Sequence, residues 1–155
     1  MPTPSGRNRY NVLGALNAIN KELITICNET YINSNTICEL LLEIRKINIG
    51  KIPITLILDN ARYQRCQLVM ELANKLKIEL LFLPSYSPNL NLIERLWKWV
   101  KKDCLYCEYY ERFSDFKAAI ENTIKKTKTE TGKTELNSLL TLNFQLYKNA
   151  IYNRL

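Results

Sequence analysis

No histidine occurs anywhere in the 155 residues. That absence rules out a Ser-His-Asp triad, a Cys-His dyad and every zinc site built on imidazole. Glycine is scarce, with 4 in the whole chain and no Gly-rich phosphate loop. The scarcity argues against a doubly wound nucleotide-binding module that would use Asp59 for magnesium. The 5 cysteines, Cys27, Cys38, Cys66, Cys104 and Cys107, are odd in number and too scattered for a disulfide framework, which suits a reducing cytosol. Cys104 and Cys107 have the spacing of half a metal site, but no second pair completes it, so both read as structural. No apolar stretch approaches a membrane span and no secretory leader is expected, so a cytoplasmic location follows. Chemistry is left to carboxylates, lysines, hydroxyls and thiols.

What the chain does have is positive charge. Its 22 Lys and Arg against 15 Asp and Glu leave a net +7, which favours an anionic partner, nucleic acid before membrane. At 46% hydrophobic and 24% charged the composition is that of a globular domain. The length is enough to bury roughly two thirds of the unfolded surface.

Residues 1–9 read as a flexible lead-in and 10–124 as an α/β domain. Residues 125–155 read as a charged connector, Lys125 to Thr134, followed by a helix from Leu136 to Ile151. Tyr10 to Ile19 and Leu23 to Cys27 form an expected antiparallel hairpin turning at Asn20-Lys21. Ile32, Thr36, Ile37, Leu40, Leu41 and Ile44 recur at helical spacing, predicting a helix from Asn33 or Ser34 to about Ile47. The apolar run Ile54 to Leu58 reads as a strand buried on both faces, ending in Asp59. A helix over Gln64 to Lys77, with Leu68, Val69, Leu72, Ala73 and Leu76 inward, leads to a strand at Glu79 to Leu83, parallel to the previous one.

The next helix, after Pro88, buries Ile93, Leu96, Trp97, Val100 and Cys104 and carries Glu94, Lys98 and Lys101 along an exposed flank. Trp99 falls off the apolar stripe and is open to nucleic acid or a neighbouring loop. Ser114 is the expected cap of one more helix, through Phe116, Ala119, Ile120 and Ile124.

Asp59 and Glu94 are the candidate site. Asp59 stands at the C-terminal mouth of a strand, where open α/β sheets place ligands and metals. Hard divalent cations prefer several carboxylate oxygens drawn from different elements. Each residue also admits a plainer reading: an Asx-turn with Asn60-Ala61 for Asp59, and a capping box with Asn91 for Glu94. Arg62, Arg65, Lys98, Lys101 and Lys102 read equally as phosphate contacts and as solvated helix faces. Asn60 either orients Asp59, bonds the substrate or merely caps the turn. Tyr86 and Ser87 either line the loop beside the site or simply form a turn. Asp103 and Asp115 read as surface residues.

The segments Ile54 to Gln64 (ITLILDNARYQ) and Leu80 to Lys102 (LLFLPSYSPNLNLIERLWKWVKK) closely resemble the catalytic domain of insertion-sequence transposases of the mariner superfamily. Those enzymes carry an Asp-Asp-Glu (DDE) triad on an RNase H-like fold, a mixed sheet flanked by helices. The resemblance makes Asp59 the second catalytic carboxylate and Glu94 the third. It implies magnesium or manganese, DNA as partner at transposon ends and target, and a homo-oligomer in the active assembly. It also implies a nucleoid-associated cytoplasmic protein. The implied reaction is hydrolytic cleavage of a phosphodiester followed by attack of the freed 3′ hydroxyl on target DNA.

One departure stands beside the match. Asp59 is the first aspartate of the chain, whereas the family places its first catalytic aspartate on a central strand ahead of the hairpin. The expectation is a domain truncated at its N-terminus, lacking that strand and a helix-turn-helix region, poorly soluble alone and weak in cleavage. Its partner would then be an N-terminal transposase fragment or full-length transposase. The alternative function is an inactive remnant that binds DNA or full-length transposase.

Overall fold

The computed structural model describes residues 8–85 and 90–141. Strands β1 (Asn11–Leu16) and β2 (Leu23–Asn28) form an antiparallel hairpin in which Leu13 faces Ile26 and Leu16 faces Leu23. Its first strand stops three residues short of the expected Ile19. Asn17 ends it by bonding across a wider loop, its N–H donating to the Glu22 carbonyl at 2.8 Å and its own carbonyl accepting from the Lys21 N–H at 2.9 Å. Lys21 takes a left-handed φ of 61° to close that loop.

Helix α1 (Ser34–Ile47) begins where the sequence places it. The Asn33 side chain accepts from the Thr36 N–H and the Thr36 hydroxyl answers the Asn33 N–H, a full capping box. Strand β3 (Ile54–Leu58), a short 3-10 turn (Arg62–Gln64), helix α2 (Gln67–Lys75) and strand β4 (Ile78–Phe82) make a parallel strand–helix–strand unit. The expected helix from Gln64 thus starts later, at a Cys66 cap, and its Leu68 is exposed. Three helices complete the described chain: α3 (Leu92–Cys104), α4 (Phe113–Lys126) and α5 (Glu130–Leu139).

Alternation along the hairpin feeds two cores. Leu13, Ala15, Ile24 and Ile26 pack with α1 and α2, while Val12, Leu16 and Leu23 pack with α3, α4 and α5. Gly14 sits on the second face because a Cβ there would stand 2.7 Å from the Trp97 ring. The missing side chain lets α3 lie close on β1. In the parallel pair only one face is covered: Ile54, Leu56, Ile78 and Leu80 join the α1–α2 core. On the other, Ile57 and its register partner Leu81 are 47% and 49% exposed. The strand expected to be buried on both faces is therefore buried on one.

Strand β4 starts and ends one residue before the expected Glu79 to Leu83, and four larger differences from expectation remain. Among the described residues the strands form two separate two-stranded sheets, not one mixed sheet. The cap of α4 is Arg112, with Ser114 inside the first turn. The threonine-rich stretch expected as a connector is mostly helix: Thr127 to Thr129 alone separate α4 from α5. Thr129 caps α5 by accepting from the Gly132 N–H at 3.1 Å. The helix expected from Leu136 to Ile151 is instead the end of α5, which stops at Leu139 with Leu140 as its C-cap, and residues 142–155 lie outside the described chain.

Candidate functional site at the mouth of strand β3

Asp59 and Asn60 follow β3 directly and are both exposed. The chain then turns under Gln64, a buried side chain whose Oε1 accepts from the Ala61 N–H at 3.3 Å. Gln64 therefore takes the backbone donor that an Asx-turn from Asp59 would have used. The Asp59 carboxylate points elsewhere: its Oδ1 accepts from Asn91 Nδ2 at 3.2 Å. Asn91 is the cap of α3, and its own Oδ1 accepts from the Ile93 N–H at 3.3 Å.

This contact brings the start of α3 to the end of β3. Glu94 lies in the first turn of α3, half-buried, three residues beyond the cap. Its carboxylate makes no capping box with Asn91 and has no partner among the described residues. The positive end of the α3 dipole faces the same corner, which favours anions there. Sequence reasoning saw Asn91 as a cap and missed its second bond. Its place three residues before Glu94 was the visible signal. Asn60, the expected orienting residue, makes no such bond.

The basic residues surround this corner unevenly. Arg62 is exposed in the 3-10 turn, and the Arg65 guanidinium stacks over the Phe82 ring at 4.8 Å, at the end of β4. Lys98, Lys101 and Lys102 are exposed along α3, the last two roughly 10 to 12 Å beyond Glu94 along the helix axis at about 1.5 Å of rise per residue. Arg95 Nη1 donates to the Thr141 carbonyl at 2.9 Å, tying α3 to the end of the described chain. Trp99, read as open to nucleic acid, packs instead in the α3–α5 core and donates from Nε1 to Glu135 at 3.1 Å. Tyr86 and Ser87 lie outside the described residues.

Asp103, read as a plain surface residue, is held by Lys126 Nζ and Thr123 Oγ1, each at 2.9 Å. The Lys126 contact keeps its carboxyl below the usual aspartate range, against a smaller opposing effect of burial. Cys104 is buried and Cys107 exposed, and neither joins a metal-type cluster. Among the described residues no group of three or more acidic, cysteine or histidine side chains gathers as a metal cage. No described helix is long and apolar enough to cross a membrane.

An α/β domain with a carboxylate at a strand mouth, joined to a helix flanked by lysines, is of a class suited to an anionic substrate. The family follows from the sequence as a whole: the chain belongs to the DDE superfamily endonucleases, whose pattern matches residues 2–117 of the 155. That membership makes this a nuclease domain of transposase type, from a family that acts on DNA and generally uses divalent metal ions. No match was found among curated proteins.

Proposed function

We propose that this chain carries two of the catalytic carboxylates of a mariner-type insertion-sequence transposase, and that its activity is cleavage and strand transfer of DNA. The observation that carries the reading is the meeting of Asp59, at the end of β3, with the first turn of α3, where Glu94 stands.

The donors fit a hard divalent cation. Magnesium is commonly bound by one or two carboxylates, with waters and substrate phosphates completing the shell. Asp59 and Glu94 are the residues that would hold it; bound there, it would neutralise charge developing on a phosphodiester. The chain's own residues do the rest. Arg62, Lys98, Lys101 and Lys102, all exposed, would meet backbone phosphates and set the strand against the carboxylates. Arg65 would do so from its seat on Phe82. The two separate sheets support reading the domain as an RNase H-like sheet in which a strand belongs between β1 and β3. Asp59 and Glu94 are two carboxylates of a three-carboxylate scheme, so cleavage should be weak wherever a third is not supplied.

Manganese titration by calorimetry tests this, with a nuclease assay beside it. Asp59→Asn and Glu94→Gln are each expected to weaken manganese binding at least tenfold, with DNA retention largely unchanged. Equal affinity in wild type and both variants would sink the carboxylate reading. Robust cutting by the purified chain would overturn the expectation of weak cleavage.

A further inference from the structure

The Asn91 side chain is spent at both ends. A primary amide offers one oxygen acceptor and one NH2 donor. Here the oxygen satisfies an otherwise orphaned N–H of α3, at Ile93, while the NH2 donates to Asp59 on a different element. The reverse orientation is chemically excluded, because it would set an amide oxygen against a carboxylate oxygen and an NH2 against an N–H. Asp59 is exposed, and Asn91 is its only side-chain partner among the described residues. With Oδ1 engaged, rotation of the carboxylate is restricted and Oδ2 is left without a described partner.

We infer that Asn91 is a positioning residue: it caps the helix bearing Glu94 and, with the same amide, fixes the Asp59 carboxylate relative to that helix. The inference rests on the carboxylate reading above and adds to it the part that sets the two acids in register. Neither acid needs to touch the other for this to work. A group that orients a metal-holding carboxylate typically alters metal affinity by about 10–100-fold when removed.

The cap and the tie are separable. Serine is a good helix cap but is too short to keep the hydrogen bond to Asp59, whereas alanine loses both. In the full chain, Asn91→Ala is expected to lower both the melting temperature and manganese affinity. Asn91→Ser is expected to restore the melting temperature while leaving manganese affinity about tenfold weak. Restoration of both by serine would overturn the tie and leave only a cap. Asp59→Asn serves as the control: if it binds manganese as wild type does, the carboxylate reading fails and the tie with it. If Asp59→Asn weakens binding but Asn91→Ser does not, the tie alone fails. Should Asn91→Ser not fold, the Asn91 side-chain amide resonances decide. Movement between wild type and Asp59→Asn supports the bond, and identical positions overturn it.

Discussion

The hairpin β1–β2 and the parallel pair β3–β4 are both two-stranded, yet they are supported unequally. The hairpin is enclosed: one face packs on α1 and α2, the other on α3, α4 and α5. The parallel pair has the first of these layers and lacks the second, so Ile57 and Leu81 face outward where the hairpin has Val12 and Leu16 under helix. Two-stranded sheets are marginal by themselves and depend on what covers them. The part of the molecule bearing Asp59 is therefore the less supported part. Its link to the better supported part runs through α1 below and through the Asn91–Asp59 bond at the mouth.

The largest effect should come from joining the two halves. Each of β1 and β3 pairs on one edge only among the described residues. Open edges on apolar strands invite aggregation. The full chain alone is expected mainly in the insoluble fraction. Co-expression with a fragment carrying an extended apolar strand that ends in aspartate is expected to raise the soluble yield several-fold. Equal soluble fractions with and without the fragment would count against a shared sheet.

A smaller effect contrasts the two faces directly. Leu96 is fully enclosed beneath the hairpin, and Leu96→Ala should cost about 2–5 kcal/mol through lost contacts and a residual cavity. Ile57→Thr on the uncovered face should change stability by only about 0.5 kcal/mol either way. Urea denaturation measures both. Similar losses at the two positions would mean that the outer face of β3 is covered after all.

The two regions also differed in how far they could be read from sequence. The bounds of α1 and β3 were legible, and those of β4 to within one residue, because capping residues and apolar runs act locally. Burial was not: an apolar run such as Ile54 to Leu58 looks the same whether helices lie on one side of it or on both. The stretch Lys125 to Thr134 resembled a connector because its residues are polar. Its helices rest on features that composition hides, namely the Thr129 cap and Gly132, where a Cβ would stand 1.8 Å from the Lys126 carbonyl. Trp99 was misread for a related reason, since its partner Glu135 sits on a helix the reading had dissolved. At the candidate site, Asp59 and Glu94 stood out as carboxylates at a strand end and an early helical turn. The bond joining their elements spans 32 positions and leaves no local trace.

The smallest effect concerns the seam that locks α3 to α4 and so holds the covered half together. Asp103 sits between Lys126 and Thr123, and its folded-state pKa lies below the ordinary 3.8, first because of the Lys126 contact. A carboxyl lowered by folding adds stability that is whole above its ordinary pKa and is lost as pH falls through the lower folded value. Lys126 is shifted the other way, above its ordinary 10.5, by the same contact. Its contribution is whole below that value and fades as pH rises through the folded one. Wild type should therefore hold a plateau between about pH 5 and 9 and lose the pair's support at both ends. Asp103→Asn keeps an acceptor for Thr123 but removes the charge facing Lys126, so its melting temperature should sit a few degrees lower across the plateau. The gap should narrow below about pH 4 and again above about pH 10.5. A gap of constant width from acid to alkali would show that the seam is held by packing alone. The covered half would then owe nothing to this charge, and its advantage over the parallel pair would rest wholly on the helices above it.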